Sequence, residues 1–552
     1  MNVLSTVLLA LLSLAAPPVE PVVFEDVARR AGIDFVLRNS ATPQKHQIET
    51  MVAGVAVFDY NNDGRPDIYF VNGAVQPKLE KVDPSWHNRL YRNDGGWSFT
   101  DVTVQAGVQG AGFATGVATG DYDNDGFTDM FIAGVNRNIL YRNRGDGTFA
   151  DVTQKAGLGW NDPKRLKPWS IAAGFFDYDN DGRLDLFVVN YVVWIPDKEP
   201  YCGDPQKTYR TYCHPKYYTP LPNMLFHNNG DGTFTDVSES AGIAAHAGKG
   251  MSVNFVDYDQ DGRLDVFSTN DTFPNFLFRN EGGGRFREVA LRAGVAFNED
   301  GRALSSMGSD FRDLDNDGRE DLFVAALANE TFPLWRNLGK GSFMDITYPS
   351  GLGRMTLPHS GFGNGIFDLN NDGWKDLFVA CGDVNDNTEL FSSRKSRQRN
   401  LVLLNQDGTK FLDASAQAGP DFQQTALHRG AAFGDFDLDG RVDVVVSRIG
   451  ERAALFRNTS PAKNHWLALR LTGRRSNRDA IGARIQLVGA SGREQWNHVT
   501  TSTGYACASD RTVFFGLGAD AAAKLIEITW PSGTRQALEN VAADRYLTIS
   551  EP

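Results

Sequence analysis

Histidine and cysteine are scarce in this sequence, with nine and four among 552 residues. None falls in a spacing that supports catalysis: G-x-S-x-G, H-E-x-x-H and C-x-x-C do not occur. Sequence support for a serine hydrolase, a zinc protease or a dithiol oxidoreductase is therefore lacking. His46, His359 and His428 each precede an acidic loop and could approach one another on one face. The plainer expectation is three separate packed side chains. After residue 16 no run is long and apolar enough to cross a bilayer, so the mature chain is expected to be soluble, without membrane insertion. No long stretch repeats every 3.6 residues, which argues against helical architectures. Basic excess is also absent. Lys and Arg number 55 against 68 Asp and Glu, a formal charge of −13 that disfavours nucleic acid and anionic membranes.

What the sequence has in quantity is glycine, 56 residues, the density of tight turns that repetitive all-β folds need. Residues 1–16, MNVLSTVLLALLSLAA, read as a Sec-type signal peptide. An apolar run ends in small residues, and Ser13-Leu14-Ala15 fits a cleavage site, although the n-region carries no Lys or Arg. Export to the periplasm or the extracellular space is the expectation.

An acidic loop, D-x-[DN]-x-D-G-x-x-D, recurs seven times, its starts 55 to 80 residues apart. Positions 1, 3, 5 and 9 are Asp59, Asn61, Asp63 and Asp67 in the first loop. In the second they are Asp121, Asp123, Asp125 and Asp129; in the third Asp177, Asp179, Asp181 and Asp185. The fourth has Asp257, Asp259, Asp261 and Asp265, and the fifth Asp313, Asp315, Asp317 and Asp321. The sixth has Asp368, Asn370, Asp372 and Asp376, and the seventh Asp435, Asp437, Asp439 and Asp443.

Each loop follows a Gly-rich apolar stretch and precedes a short β-type run such as IYFV or LFVV. A second run ends in Asn, at Asn93, Asn143, Asn228, Asn280, Asn337, Asn405 and Asn458. An F-x-D-V-x-x-x-A-G segment completes the unit. Four short strands repeated radially make a β-propeller, here of seven blades over residues 17–460. Residues 461–552 lose the repeat but keep alternating strand patterns (HWLALRL, ARIQLV, LIEITWP), which predicts a small β-sandwich-like domain.

Calcium takes six to eight oxygen ligands, and this loop offers carboxylates at four positions, with Gly at position 6 for the sharp turn. An EF-hand would need Glu at position 12 and flanking helices; here position 12 is Phe70, Ile132, Val188, Ser268, Val324, Val379 or Val446, and the flanks are strands. Magnesium, which keeps several waters, fits less well. Up to seven Ca²⁺ are therefore expected, and seven dications would bring the charge from −13 to about +1. The acidity is then mostly ligand charge. Asn61 and Asn370 leave loops one and six a charge short and predict weaker binding there.

At these residues the chain resembles the FG-GAP/VCBS repeat of integrin-α-like propellers. NRDAIGARI (477–485), FFGLG (514–518) and ITWPSG (528–533) are similar to the ASPIC/UnbV domain. Together they resemble the cartilage acidic protein family, including its bacterial members. The resemblance implies an exported, calcium-binding, non-enzymatic protein, and the EGF-like segment of some animal members has no counterpart here. The expected function is a monomeric binding, adhesion or scaffold module for an extracellular protein or glycan. The alternative is a calcium-assisted polysaccharide lyase or hydrolase, which the fold alone does not exclude.

Three local expectations remain. Cys202 and Cys213 lie in an aromatic, Pro-rich insertion (194–222) and are expected to form a disulfide, while Cys381 and Cys507 stay unbonded. Residues 386–400 form a polar, basic insertion expected to be a mobile surface loop. The F-x-D-V segment also starts the chain, at Phe24, yet no copy follows Asn458. Phe24–Val27 should therefore pair with the run ending at Asn458 and close the ring, covering an otherwise open edge.

Overall fold

The computed structural model describes residues 21–159 and 167–552; residues 1–16, expected to be a signal peptide, lie outside the described residues. Seven antiparallel four-stranded units dominate. The first comprises Val55–Phe58, Asp67–Phe70, Arg89–Gly95 and Ser98–Asp101. The third comprises Ser170–Phe176, Asp185–Asn190, Met224–Asn228 and Phe234–Asp236. The innermost strands pack side by side in order: Val55–Phe58, Phe113–Gly120, Ser170–Phe176, Gly250–Val256, Ser309–Arg312, Gly361–Phe367 and His428–Gly434, which returns to the first. The ring is closed, and the fold is an all-β propeller.

Burial explains the composition of the strands. Asp185–Asn190 (DLFVVN) is buried at every residue, because a neighbouring blade covers each face of its sheet. Continuous apolar runs, rather than alternation, are what a strand covered on both faces requires. The F-x-D-V segment is strand only over its first residues. After Ser98–Asp101 the chain makes one helical turn, Thr103–Ala106, ended by Gly107 at φ 75°, and Ala290–Ala293 ends the same way at Gly294. A glycine after the last helical residue meets no steric penalty in this left-handed conformation.

The N-terminal strand closes the seventh blade as expected. Phe24–Asp26 pairs antiparallel with Ala454–Asn458, in the register Phe24 to Asn458 and Asp26 to Phe456. Phe24 is buried against Phe422, Phe456 and Phe378, with ring centroids 5.6, 6.1 and 6.2 Å away.

After Asn458 two further sheets form. One holds Val513–Gly518, His465–Thr472 and Arg545–Ser550; the other holds Glu494–His498, Arg484–Gly489, Ala522–Thr529 and Arg535–Ala542. Between them, residues 500–510 project as a finger into the middle of the ring. Its small hairpin, Ser502–Thr503 with Cys507–Ala508, joins the first blade through a parallel pairing of Ala508 with Ala56. The Ala506 carbonyl accepts from Val117, the Ser502 carbonyl from the Asn254 side chain, and the Gly504 amide donates to Ser309. Phe433 N–H donates to Ser509 Oγ. The finger thus meets inner strands all round the ring.

This contact explains several of the glycines that precede the acidic loops. A Cβ at Gly174 would lie 2.3 Å from Ser502 Oγ, and one at Gly430 would lie 2.6 Å from Cys507 Sγ. Tyr505, at the finger's tip, donates its hydroxyl to the Met51 carbonyl at 3.1 Å.

The two insertions meet each other. Asn387 donates to the Arg210 carbonyl, Tyr212 N–H donates to Asn385, and Tyr209 stacks on Phe391 at 6.0 Å. Residues 386–400 are therefore packed against the other insertion rather than free, with a 3-10 turn at Thr388–Leu390. Tyr212 also donates to buried Glu49, in the segment Gln47–Thr50 next to Met51. Cys202 and Cys213 are disulfide-bonded, and Cys381 and Cys507 are free and buried.

Candidate metal centres

All seven loops share one geometry. The carboxylate at position 1 accepts the backbone N–H groups of positions 5 and 6: Asp59 accepts from Asp63 at 3.1 Å and Gly64 at 2.7 Å. Asp121, Asp177, Asp257, Asp313, Asp368 and Asp435 repeat the pair. The carboxylate at position 9 accepts the N–H of the Asn that ends the third strand: Asp67 from Asn93, Asp129 from Asn143, Asp443 from Asn458. Side-chain oxygens of positions 1, 3 and 9 converge within 4.8 Å for Asp121, Asp123 and Asp129, for Asp257, Asp259 and Asp265, and for Asp313, Asp315 and Asp321. Asp177, Asp179 and Asp181 converge likewise.

Several of these oxygens are poorly served by protein alone. Asp123 Oδ1, Asp259 Oδ1, Asp437 Oδ1 and Asp265 Oδ2 are buried and accept no hydrogen bond. A buried carboxylate oxygen left so is costly, and a bound cation removes the cost. Burial also raises these groups, and crowding among them adds to it. Asp121, Asp177 and Asp435 are pushed up to about 7, Asp257 to about 6, Asp265 to about 9 and Asp368 to about 8. Asp67, Asp129, Asp321, Asp376 and Asp443 go well above the ordinary carboxylate range. An all-oxygen, multiply anionic donor set of this kind suits a hard divalent cation.

The partner of position 3 was not foreseen from the sequence. In blades two, four, five and seven an arginine from the third strand pairs with it: Arg142 with Asp123, Arg279 with Asp259, Arg336 with Asp315, Arg457 with Asp437. In blade one position 3 is Asn61, and Arg92 pairs with Asp94 instead at 2.7 Å. In blade six it is Asn370, and Leu404 stands where the arginine would be. The arginine is present in four of the five blades whose position 3 is a carboxylate, and there it offsets the extra charge. Against those four blades, the missing carboxylate at loops one and six is matched by a missing arginine pair, which narrows the charge argument for weaker binding there.

The repeated Asn has a second task that pattern reading missed. Its side-chain amide donates to the carbonyl of position 2 in the preceding blade's loop: Asn143 to Tyr60, Asn228 to Tyr122, Asn280 to Tyr178, Asn337 to Tyr258, Asn405 to Leu314 and Asn458 to Leu369. Asn93 donates to Phe436 and closes the circuit. Position 4, held at φ 56–60° in all seven loops, reaches forward in six of them to the Gly carbonyl of the next loop, as Asn62 to Gly126 and Asn316 to Gly373. The seventh loop has Leu438 there and has no side-chain donor to offer. Fixed hydrogen bonds thus carry the position of one loop to its neighbours.

The C-terminal sheets lie on this loop face. Asp479 accepts the Asp121 N–H at 2.7 Å, Tyr546 donates to Asp435 at 2.8 Å, and Asn464 donates to the Asn370 carbonyl at 2.9 Å. Arg484 and Arg493 donate to the carbonyls of Gly318 and Asp372.

Two of the three histidines, His428 and His46, have separate surroundings. His428 is wholly buried with neither ring nitrogen partnered, and burial holds it well below its usual titration range. His46 lies instead beside Glu199, at 3.7 Å, and Trp194.

A closed β-propeller whose blades each carry an acidic loop, capped by two C-terminal β-sheets, is the class of protein that this geometry defines. The FG-GAP-like repeat matches residues 59–132, 121–188, 217–268, 257–324, 313–379 and 368–446, and the ASPIC and UnbV model matches 473–552. Those repeats cover more than half of the chain, which belongs to the FG-GAP repeat family with a C-terminal ASPIC and UnbV domain. It is similar to cartilage acidic protein 1 of Mus musculus, 26% identical over 323 residues, 57% of this chain and 47% of that one. The Homo sapiens protein gives the same identity, with 46% of its length covered. The chain thus spans about half the length of the curated relatives it matches. Among solved structures, YCF48 bound to D1 peptide aligns with a TM-score of 0.41 and 10% identity, over 81% of this chain and all of that one.

Proposed function

We propose that the protein is an exported, calcium-loaded propeller that serves as a binding or scaffold module for an extracellular protein or glycan. The observation that carries the calcium reading is the set of buried, unpartnered carboxylate oxygens at Asp123, Asp259, Asp265 and Asp437, in blades two, four and seven of a ring whose seven loops share one geometry. The ligands are the twenty-eight side chains at positions 1, 3, 5 and 9, and a bound Ca²⁺ supplies the positive charge that their crowding calls for. The Cys202–Cys213 disulfide supports an oxidising compartment.

The binding reading rests on how the ring is filled. The finger of residues 500–510 lies where a propeller would hold a ligand in its channel, and the C-terminal sheets cover the loop face. The insertions remain available, presenting Tyr201, Tyr217, Leu390 and Phe391 to solvent. Aromatic side chains of this kind are favoured at recognition surfaces. Calcium titration followed by capture on immobilised, calcium-loaded protein tests both parts. The expected result is at least three bound Ca²⁺ per chain and a glycan or protein retained only with calcium. Two ions or fewer overturn the metal reading, and glycan cleavage by the purified protein overturns the binding one.

A further inference from the structure

We propose that the third loop is also a mixed-donor site for a borderline divalent cation of the zinc class. It rests on reading the loops as cation sites and adds a distinct metal preference for one of them. Blade three has His227 at the place where blades two, four, five and seven carry the arginine that pairs with position 3. His227 Nδ1 lies 3.2 Å from Asp185 Oδ1 and 3.7 Å from Asp179 Oδ2, and the ligand atoms of all three lie within 4.8 Å of one another. The Tyr178 hydroxyl, 3.1 Å from the same nitrogen, is its other polar neighbour.

The distances fit a small cation. Two ligands bound at about 2.0–2.2 Å in a tetrahedral shell stand about 3.3–3.6 Å apart. Arginine has no lone pair to give, so the other loops offer oxygen alone; a neutral imidazole with its proton on Nε2 offers Nδ1. Imidazole nitrogen with carboxylate oxygen favours zinc over calcium, in keeping with ligand softness and the order of divalent affinities. Asp185 is buried, whereas His227 and Asp179 are about a quarter to a third exposed, which leaves an entry path. Asp181, meanwhile, is held by Arg183 and is not needed. Asp179 and Asp185 are also positions 3 and 9 of the calcium loop, and Asp179 converges with Asp177 and Asp181, so a calcium and a zinc in this loop would share carboxylates.

The test uses the full chain saturated with calcium. Zn²⁺ is titrated against a chromophoric chelator, and Co²⁺ is followed by its visible absorption, in the wild type, His227→Arg and His227→Gln. Five other blades carry arginine at this place, so the fold accommodates it. One equivalent of zinc is expected, bound at least about tenfold more tightly by the wild type than by either variant. Calcium stoichiometry in His227→Arg should be undiminished. Equal zinc affinity in all three proteins overturns the proposal while leaving the calcium reading in place. His227-dependent zinc binding in a protein that takes up no calcium would do the reverse.

Discussion

The side-chain amide of Asn93 donates to the Phe436 carbonyl at 2.9 Å, across the seam where the first blade meets the seventh. The same amide donates to Pro66, and Asn93 Oδ1 accepts from Gly95. One buried side chain therefore ties two loops and a turn together, at the joint between the first and last acidic loops of the ring. Asn93→Ala should destabilise the protein by about 1–3 kcal/mol per polar group left without a partner. Asn93→Asp should cost more, because it aims an oxygen at two carbonyls. Urea unfolding checks the order; an aspartate variant as stable as wild type would show that the seam is held elsewhere.

Removal of metal should make stability fall as pH rises. Asp121, Asp177 and Asp435 are pushed by burial from 3.8 up to about 7 in the folded chain. A carboxyl raised in the folded state binds more protons there than when unfolded. Its contribution is complete below the unfolded value of about 4 and is lost as pH rises through about 7. In EDTA the melting temperature should therefore drop between pH 5 and pH 8. Calcium needs the carboxylates deprotonated, so the stabilisation it gives should grow over the same interval. A melting temperature in EDTA that climbs with pH would contradict the shifts.

The N-terminal strand should matter out of proportion to its length. Phe24 fills a pocket among Phe378, Phe422 and Phe456, and truncating a buried Phe costs about 3–5 kcal/mol. Phe24→Ala should lose that much, and deletion of residues 17–33 should lower the melting temperature further, although neither change touches an acidic loop. Unchanged melting of the deletion protein would mean that the ring is closed without this strand.

Much of this was legible because repetition multiplies weak signals. One D-x-D-x-D-G-x-x-D run is a turn; seven, each with strands on both sides, specify a blade and its site. Counting the F-x-D-V segments also located the closing strand, because a copy stood at the wrong end. What could not be read depends on contacts between distant segments. The Asn at the end of the third strand looked like a strand terminator, yet its amide reaches a carbonyl about 80 to 100 residues earlier. The arginines facing position 3 sit in an L-[YFW]-R-N run where an exposed charge is unremarkable. The finger is mostly small residues, T-S-T-G-Y-A-C-A-S, that meet glycines and backbone amides, so neither partner carries a patterned signal. Cys507 belongs there because a slim side chain is all that the space beside Gly430 admits.

That same contact yields the final prediction. Val55 N–H points at Cys507 Sγ at 3.4 Å, and a Cβ at Gly430 would approach both that sulfur and the Ala53 carbonyl, the latter at 2.4 Å. Backbone cannot retreat on either side, so Gly430→Val should force the finger out of the ring, at a cost of about 1–3 kcal/mol. The free thiols report the event. Cys381 and Cys507 are both buried, and burial pushes the Cys507 thiol up to about 12, so neither should react with a disulfide reagent in the native wild type. In Gly430→Val one thiol should become reactive under native conditions, and a Cys381→Ser background should leave that reactivity in place, assigning it to Cys507. Calcium stoichiometry should be unchanged, since every acidic loop lies on a blade and not on the finger. Rapid labelling of Cys507 in the wild type would show instead that the finger leaves the ring spontaneously.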